Sequence, residues 1–290
     1  MMQKYSIFNL IKNAFSGHQN WDLAWKDPTP KKEYDVVIIG GGGHGLATAY
    51  YLAKEHNITN VAIIEKGWIG GGNVGRNTTI IRSNYMHDDN ALFSEFGMDL
   101  WRKMSQDLNY NVMFSPRGII NLAHSDAQMN VYARRGNSMR LNGIDAVLLN
   151  REQVKEIIPM ADFSENVRFP IFGGLMQPSA GTARHDAVAW GYARQADSMG
   201  VDIIQNCEVT GFDIAGGKIN GVRTSRGDIK VKKIGLCVAG STNILAEKLN
   251  MTLPVETHLL QACVSEPVKP VLDRVVTFGA GHFYISQSDK

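Results

Sequence analysis

Cysteine is scarce in this chain and is not arranged for a chemical task. The three cysteines, Cys207, Cys237 and Cys263, are far apart in sequence and form no C-x-x-C pair. Metal motifs need closely spaced ligands and a disulfide framework needs an even, dense set, so both are disfavoured. The pattern predicts three small core residues in a protein of the reducing cytoplasm.

An excess of either charge is also lacking. Lys and Arg number 30 against 28 Asp and Glu, which leaves a formal net charge of +2. No basic run is interleaved with aromatic residues, and no nucleic-acid motif is present. The sequence therefore predicts no nucleic-acid partner.

Long apolar runs and a cleavable leader are missing as well. A membrane-spanning helix needs roughly 18 apolar residues in succession, and no stretch of the chain reaches that length. Residues 1–15 hold a short apolar patch that Asn9 and Lys12 interrupt, with no small-residue cleavage site after it. They predict a short amphipathic helix or a frayed arm, with a role at a membrane surface as the lesser alternative.

The chain does have enough apolar sequence for a large core. Its 290 residues are 44% hydrophobic and 20% charged. Such a composition is typical of a globular protein with one or two domains.

The most informative stretch, residues 34–66, reads YDVVIIGGGGHGLATAYYLAKEHNITNVAIIEK. An apolar run at residues 36–39 predicts a strand that is buried on both faces of a parallel sheet. A helical pattern follows the glycines, and a second apolar strand is predicted at residues 61–64. The order of strand, glycines, helix and strand is that of a dinucleotide-binding unit.

The glycines have G-x-G-x-x-G spacing at Gly40, Gly42 and Gly45. Gly40 can take a backbone conformation that a side chain forbids, Gly42 lets the main chain approach a pyrophosphate, and Gly45 lets the helix pack against the strand. Glu65, which lies 20 residues after Gly45, favours a ribose with a free 2′-OH, as in FAD or NAD. The alternative is a glycine-rich turn in some other βα unit.

A second glycine-rich segment, KGWIGGGNVGRNTTIIRSNY, follows Glu65. Residues 70–72 predict a loop that covers the phosphates with backbone N–H groups, and a flexible surface loop is the alternative. Polar side chains are supplied beside it by Asn73, Arg76 and Asn77. Residues 78–81 predict a short strand that ends at Arg82. That arginine is a candidate for bidentate carboxylate binding, and a surface ion pair is the alternative.

The rest of the chain predicts an alternation of helices and strands. Helices are predicted at residues 90–108, 126–142, 152–158 and 188–199, and strands or hairpins at residues 119–123, 203–209, 211–234 and 253–290. The stripe of Leu92, Phe96, Leu100 and Met104 predicts core packing. Residues 234–249 repeat the order of strand, small residues and helix, so Ala239 and Gly240 are expected to approach the same nucleotide again.

This order predicts an α/β fold in which a Rossmann-like nucleotide-binding domain is interrupted by a second, α+β domain. The predicted parts are an arm and linker at residues 1–33, the nucleotide-binding domain at 34–110 and 178–252, and the second domain at 111–177 and 253–290. The chain ends at Lys290 in a predicted strand-and-turn region without a closing helix. We therefore expect a C-terminally truncated product or gene fragment.

Several stretches over residues 21–290 resemble the beta subunits of heterotetrameric sarcosine oxidases, in the D-amino-acid-oxidase-like group of flavoenzymes. The glycine stretch through GWIGGGN is one of them, and the others are RNTTIIRSNY, FSPRGIINLAH, GTARHDAVAW and MGVDIIQNCEVTGF. The resemblance implies that the Rossmann-like domain is an FAD-binding domain with noncovalent FAD and that the α+β domain is a substrate domain. It also implies a second flavin, FMN, bound covalently to His185, which occupies the first histidine of a K-H-D-H-V-type pattern. The second histidine of that pattern is Ala187 here. Without the resemblance, the position of His185 at a predicted helix start indicates a helix-capping or surface histidine.

The resemblance also implies site residues. Arg82 ends a T-I-I-R segment where related enzymes have R-I-I-R, with the final arginine on the substrate carboxylate; Thr79 replaces the first arginine. The implied cofactor contacts are Gly40, Gly42, Gly43, Gly45, Glu65, Lys66, Gly71, Gly72, Asn73, Arg76, Asn77, Thr78, Val209, Ala239 and Gly240.

The implied reaction is oxidative demethylation of sarcosine to glycine and formaldehyde, or to 5,10-methylenetetrahydrofolate, within sarcosine catabolism and one-carbon metabolism. Electrons are expected to pass from FAD to FMN and to oxygen, which gives hydrogen peroxide. The implied partners are the other subunits of a hetero-oligomer, which are candidates to hold NAD and tetrahydrofolate. Two alternatives stay open: an oxidase or dehydrogenase with FAD only for dimethylglycine, another secondary amino acid or a D-amino acid, and a non-catalytic nucleotide-binding subunit.

Overall fold

The computed structural model describes residues 6–19, 23–164 and 166–287. The predictions for residues 1–5 and for the chain end at Lys290 lie outside these ranges. The α-helices of the described residues are α1 (Ile7–Phe15), α2 (Gly43–His56), α3 (Asp88–Asp107), α4 (Asp126–Leu141), α5 (Arg151–Ile157), α6 (His185–Ser198) and α7 (Thr242–Glu247). Short 3-10 turns are formed by Val74–Arg76 and Ala239–Ser241.

The strands divide between two main sheets and one small pair. They are β1 (Glu33–Ile39), β2 (Val61–Ile64), β3 (Ile80–Ile81), β4 (Ile119–Ala123), β5 (Val147–Asn150), β6 (Gly173–Gln177), β7 (Gly181–Thr182), β8 (Asp202–Ile204), β9 (Val209–Ala215), β10 (Lys218–Thr224), β11 (Gly227–Leu236), β12 (Val275–Phe278) and β13 (Phe283–Ile285). The small pair joins β3 to β7.

The first main sheet carries the glycine turn. Its order is β8-β2-β1-β11-β10-β9, with β8, β2, β1 and β11 parallel and β11, β10 and β9 antiparallel. The parallel strands β1, β2 and β11 end at the same edge of the sheet. In an open α/β sheet this edge is where ligands bind.

Around β1 and β2 both faces of this sheet are buried, as the apolar run at residues 36–39 predicts. On one face Ile38 and Ile63 pack with Leu46 of α2 and Tyr192 of α6. On the other face alternate residues of β1, including Val37, pack in a second cluster. The packing of both faces explains why residues 36–39 of β1 and residues 61–64 of β2 are continuously apolar.

The second main sheet has the order β13-β12-β4-β6-β5. Strands β4 and β12 are parallel, and the other neighbours are antiparallel. Helix α5 begins with a capping box, in which the side chain of Asn150 accepts from the backbone N–H of Gln153 and the side chain of Gln153 accepts from the backbone N–H of Asn150. The strands of this sheet come from both predicted parts of the substrate domain, but the proposed division into domains stays a prediction.

The segment around Thr79 corrects one predicted strand. Only Ile80–Ile81 is extended and paired, rather than residues 78–81. Thr79 has φ of 57°, and its backbone N–H donates to Oδ1 of Asn77 at 2.7 Å. This local side-chain turn takes the chain out of the extended conformation.

The predicted strand at residues 203–209 is also corrected, because it is broken in the middle. Strand β8 ends at Ile204, where its pairing with Ile64 of β2 ends. The chain then turns at Asn206, which has φ of 49°, and β9 begins at Val209 in another part of the sheet. The change of partner strand explains the break.

Residues 251–274 contain no helix or strand, although strands were expected over residues 253–290. Three prolines, Pro254, Pro267 and Pro270, remove backbone donors from this segment. Cys263 lies in it and is exposed, so the prediction of three core cysteines holds only for buried Cys207 and half-buried Cys237.

The predicted core stripe of α3 is wrong in part. Leu92 and Phe96 are 53% and 64% exposed, whereas Ala91, Met98 and Met104 are buried. Helical periodicity predicts a stripe, but tertiary packing decides which side of the helix meets the core. The amphipathic helix expected near the N-terminus does form as α1, whose side chains are not buried.

Candidate functional site

One large cavity lies at the edge where β1, β2 and β11 end. Its volume is about 1610 Å³, and its lining includes Gly40, Glu65 and Val238, which follow those strands. Pockets for drug-sized ligands measure about 300–1,000 Å³. The cavity can therefore take a dinucleotide together with a small second ligand.

The first glycine turn is shaped by contacts that leave no room for side chains. Gly40 has φ of 108°, and a Cβ there would lie 2.3 Å from the carbonyl oxygen of Cys237. A Cβ on Gly45 would lie 2.0 Å from the carbonyl oxygen of Gly40. A Cβ on Gly42 meets only Val74, at 3.8 Å, so the main chain is open to the cavity there.

Helix α2 begins beside the cavity without a side-chain cap. Gly42 is its N-cap residue and has no side chain to accept from the first turn. Gly42, Gly43 and His44 line the cavity. Free N–H groups and the positive end of the helix dipole at this position suit the phosphates of a dinucleotide.

Glu65 joins the two glycine-rich segments. Its Oε2 accepts from the backbone N–H of Gly41 at 2.8 Å, and its Oε1 accepts from Gly67 at 2.8 Å. Each carboxylate oxygen has a second lone pair. The side chain is thus fixed at the end of β2 with acceptor capacity left for a ribose hydroxyl.

The second glycine-rich segment is tied down rather than free. The N–H of Gly70 donates to the carbonyl of Gly41 at 3.0 Å, and the N–H of Gly75 donates to the carbonyl of Gly70 at 2.8 Å. Gly72 has open space where a Cβ would be. The predicted loop therefore packs on the first glycine turn and borders the cavity.

The returning segment after β11 also reaches the cavity. Ala239 has φ of 46° and lines it together with Gly240. Burial raises the pKa of the neighbouring Cys237 thiol, so this cysteine stays protonated and is not a nucleophile at neutral pH.

Arg82 follows β3 and lines the same cavity. Its Nη1 donates to Oδ1 of Asn84 at 2.6 Å, and its guanidinium lies 4.5 Å from the centre of the Tyr85 ring. No carboxylate of the described residues forms an ion pair with it. The alternative, a surface ion pair, is therefore not formed among the described residues, and the positive charge of Arg82 is available to a ligand.

His185 is the first residue of α6 and is partly exposed at the cavity wall. Its neighbours Arg184 and Asp186 form an ion pair at 3.0 Å. Ala187, which replaces the second histidine of the family pattern, is buried at 3% exposure. The residue at position 187 is therefore part of the packed interior.

The cavity brings together nearly all residues that were predicted from sequence. Those that line it are Gly40, Gly42, Gly43, Glu65, Lys66, Gly71, Gly72, Asn73, Arg76, Asn77, Thr78, Arg82, His185, Val209, Ala239 and Gly240. Gly45 is the exception, because it packs α2 on β1 behind the wall. The individual roles of these residues stay predictions.

The sequence patterns do not identify four polar residues near Arg82, which are Asn84, Asn121, Arg135 and Thr277. Asn84 donates from Nδ2 to Oδ1 of Asn121 at 2.7 Å, and Asn121 donates from Nδ2 to Oγ1 of Thr277 at 2.5 Å. Arg135 of α4 lines the cavity as well. Asn121 did carry a signal, as a lone polar residue in an apolar strand. Arg135 carried none, because an arginine on a predicted helix is usually solvated.

Neither a metal site nor a membrane-spanning helix is found in residues 6–19, 23–164 and 166–287. These ranges contain no group of three or more His, Cys, Asp and Glu side chains placed to hold a metal ion. Their helices also include none with the length and hydropathy of a membrane span.

Comparison with known proteins gives consistent similarities. Residues 35–290 match the family of FAD dependent oxidoreductases. The sarcosine oxidase subunit beta of Rhizobium meliloti is 60% identical over 287 residues, which are 99% of this chain and 69% of that protein. The corresponding subunit of Rhodobacter capsulatus is 52% identical over 289 residues, 100% of this chain and 70% of that protein.

Among solved structures, the crystal structure of L-proline dehydrogenase from P. horikoshii is similar with a TM-score of 0.77 and 25% identity. The similarity covers 89% of this chain and 68% of that one. The chain thus spans about two thirds of the length of each of these relatives.

Proposed function

The chain belongs to the sarcosine oxidase beta subunits of the FAD-dependent oxidoreductase family, and we propose that it carries out the flavin-dependent oxidative demethylation of sarcosine. Family membership also confirms the resemblance and the fold class predicted from sequence. The observation that carries the proposal is that a nucleotide cradle and an arginine that has no acidic partner among the described residues line the same cavity.

FAD fits the residues at the strand edge. The glycine contacts, the uncapped start of α2 and the spare acceptor capacity of Glu65 match its pyrophosphate and ribose. In this reading Gly42 and Gly43 hold the phosphates, and Lys66 with Asn73, Arg76 and Asn77 adds polar contacts. When bound, the flavin supplies the acceptor for the hydride equivalent that leaves the substrate.

The substrate carboxylate is assigned to Arg82. A guanidinium offers two parallel donors that match the two oxygens of a carboxylate. One donor of Arg82 is already held by Asn84, and the ring of Tyr85 supports the guanidinium plane. The side chain is therefore oriented before the substrate arrives, which lowers the entropy cost of binding.

The overall reaction balances as sarcosine, oxygen and water giving glycine, formaldehyde and hydrogen peroxide. The bond that is oxidised is the C–N bond of the N-methyl group, and water hydrolyses the resulting imine. Capture of the one-carbon unit as 5,10-methylenetetrahydrofolate is the variant in which a partner subunit binds tetrahydrofolate.

We assign covalent FMN to His185 as a separate part of the proposal. Its support is the family pattern and the position of the imidazole at the start of α6, on the cavity wall and partly exposed. Acid precipitation tests it: FMN is expected to stay with the precipitated protein, while FAD is released. A His185→Ala variant is expected to lose FMN and to retain FAD. Release of all flavin from the wild-type protein would refute the covalent link.

We also infer a hetero-oligomer in the cytoplasm. The relatives carry the name subunit beta, and Cys207, Cys237 and Cys263 are free thiols. NAD and tetrahydrofolate, where they take part, are assigned to partner subunits. The remaining alternatives are dimethylglycine or another amine as substrate with FAD only, and a subunit without chemistry of its own.

Product analysis of the holoenzyme separates these readings. With sarcosine, glycine and formaldehyde are expected in equal amounts, matched by the oxygen consumed. Faster turnover of dimethylglycine than of sarcosine would favour the first alternative. If protein that retains FAD forms no product from any N-methyl amino acid, the result would favour the reading as a non-catalytic subunit.

A further inference from the structure

A second arginine reaches the part of the cavity that Arg82 lines. Arg135 lies on α4, an element that no part of the glycine motif or the T-I-I-R segment predicts. It is half-buried and lines the cavity together with Arg82 and Tyr132. Two guanidinium groups from different elements of the fold therefore line the same cavity.

Both arginines are held by the same residue. Arg82 donates to the side-chain oxygen of Asn84, and Arg135 donates from Nη2 to the backbone carbonyl of Asn84. Asn84 is fully buried and is itself fixed by Asn121. One buried residue therefore helps to position both guanidinium groups.

The charges of this pair have no carboxylate partner in the part of the chain that the structure describes. No ion pair of the described residues includes Arg82 or Arg135. Nε of Arg135 is buried and has no hydrogen-bond partner in the described chain. Burial, and then the charge of Arg82, lower the pKa of Arg135. Arg135 is half-buried and has no carboxylate partner in the described chain, and desolvating an uncompensated charge is costly, so the pair is expected to bind an anion that arrives from outside.

We propose that Arg135 is a second carboxylate-binding residue, and that it and Arg82 hold the carboxylate of the substrate between them. The inference rests on the proposed function and deepens it, because it names the group that selects amino acids over simple amines. Two guanidinium groups can each take one carboxylate oxygen, and together they offset the desolvation of the carboxylate. N-Methylamines that lack a carboxylate leave both cations unpaired and are rejected.

A purely structural role for Arg135 is the alternative, since its bond to the carbonyl of Asn84 ties α4 to the segment after β3. The two roles differ in what a substitution changes. A structural role affects the stability of the fold, whereas a carboxylate-binding role affects the affinity for carboxylate ligands at unchanged FAD content.

The experiment measures the dissociation constant of acetate from the holoenzyme, followed by the perturbation of the flavin spectrum. The variants are Arg135→Gln, Arg135→Lys and Arg82→Gln, with Arg134→Gln as the matched control. Arg134 is the neighbouring residue on α4, is exposed, and carries the same charge. It does not line the cavity.

We expect Arg135→Gln to weaken acetate binding by about tenfold or more, with a rise in the KM for sarcosine that exceeds the fall in kcat. Arg135→Lys keeps a charge and is expected to retain part of the affinity. Arg134→Gln is expected to bind acetate as the wild type does. If Arg135→Gln does not retain FAD, Arg135→Lys decides: acetate affinity equal to that of the wild type overturns the proposal.

The results that would overturn the role of Arg135 differ from those that would overturn the proposed function. Unchanged acetate affinity in Arg135→Gln, with weakened affinity in Arg82→Gln, overturns the role of Arg135 and leaves the demethylation intact. Wild-type holoenzyme that binds acetate but is not reduced by sarcosine would instead overturn the proposed function.

Discussion

Nη1 of Arg82 donates a 2.6 Å hydrogen bond to Oδ1 of Asn84, whose side chain is fully buried. The amide nitrogen of Asn84 in turn donates to Asn121 on β4, and Asn121 donates to Thr277 on β12. The position of the guanidinium therefore depends on a chain of side chains that ends in the second sheet. These hydrogen bonds link the second main sheet to Arg82, the residue that we assign to the substrate carboxylate.

The first prediction concerns Asn84. An Asn84→Ala variant removes the acceptor of Arg82, so we expect a several-fold higher KM for sarcosine with a smaller change in kcat. The unpaired groups that remain should lower the free energy of unfolding by about 1–3 kcal/mol. Steady-state kinetics and denaturant unfolding measure both effects. Asn137→Ala, which removes an exposed partner of Arg140, is the control. A KM equal to that of the wild type would show that Asn84 does not position Arg82.

The second prediction concerns the glycine turn. A Cβ at position 45 would lie 2.0 Å from the carbonyl oxygen of Gly40, so Gly45→Ala must push α2 away from β1. We expect loss of FAD and a marked fall in thermal stability, since backbone atoms cannot move aside as a flexible side chain does. Gly235→Ala is the control, because its Cβ would meet only Ile38 at 3.8 Å. Retention of FAD by Gly45→Ala would contradict the close packing described for α2.

The third prediction concerns Glu65. In Glu65→Gln one of the two acceptor oxygens becomes an NH₂ group that faces a backbone N–H of Gly41 or Gly67. Hydrogen bonds to a charged acceptor contribute about 1.5–3 kcal/mol each, so FAD affinity should fall by about tenfold or more. Titration of the apoprotein with FAD measures it. The control is Glu55→Gln, which changes an exposed carboxylate near the end of α2. Equal FAD affinity in Glu65→Gln and wild type would remove Glu65 from the cofactor site.

The fourth prediction concerns alkaline stability. The hydroxyl of Tyr34 donates to Asp202 at 2.8 Å and accepts from the N–H of Lys31, and burial raises the pKa of Tyr34 above its usual value. The folded state therefore holds this proton more tightly than the unfolded chain does. The stabilisation that comes from protonated Tyr34 is complete below about pH 10, the pKa of tyrosine in the unfolded chain, and is lost as the pH rises above that value.

Unfolding in denaturant at a series of pH values tests this. The wild type is expected to lose stability above about pH 10, and Tyr34→Phe should lose less over the same range, from a neutral value that is lower by about 1–2 kcal/mol. Tyr50, Tyr132 and Tyr192 also have raised pKa values, so part of the decline remains in the variant. Parallel curves for the two proteins would argue against the role of Tyr34.

The sequence predicted the glycine turn and its flanking strands because that information is local. Strand, turn and helix are each encoded by adjacent residues, and Gly45 is required by a contact within the unit, with the carbonyl oxygen of Gly40. The contact that requires Gly40, with the carbonyl oxygen of Cys237, is not local, but the glycine spacing already predicts that position. The failures are non-local. Leu92 and Phe96 have the periodicity of a buried stripe, but the packing of α3 buries Met98 instead. Arg135 reaches the cavity only because α4 packs beside the segment after β3, and no pattern on α4 reports that contact.

The central claim is that sarcosine delivers electrons to flavin in a cavity where Arg82 binds its carboxylate. Anaerobic addition of sarcosine to the holoenzyme, followed by the loss of flavin absorbance, tests it most directly. We predict bleaching in the wild type, and in Arg82→Gln with full FAD content a bleaching that needs at least about tenfold more sarcosine. Flavin that stays oxidised in the wild type, or an Arg82→Gln variant that responds at the same sarcosine concentration, would contradict the account.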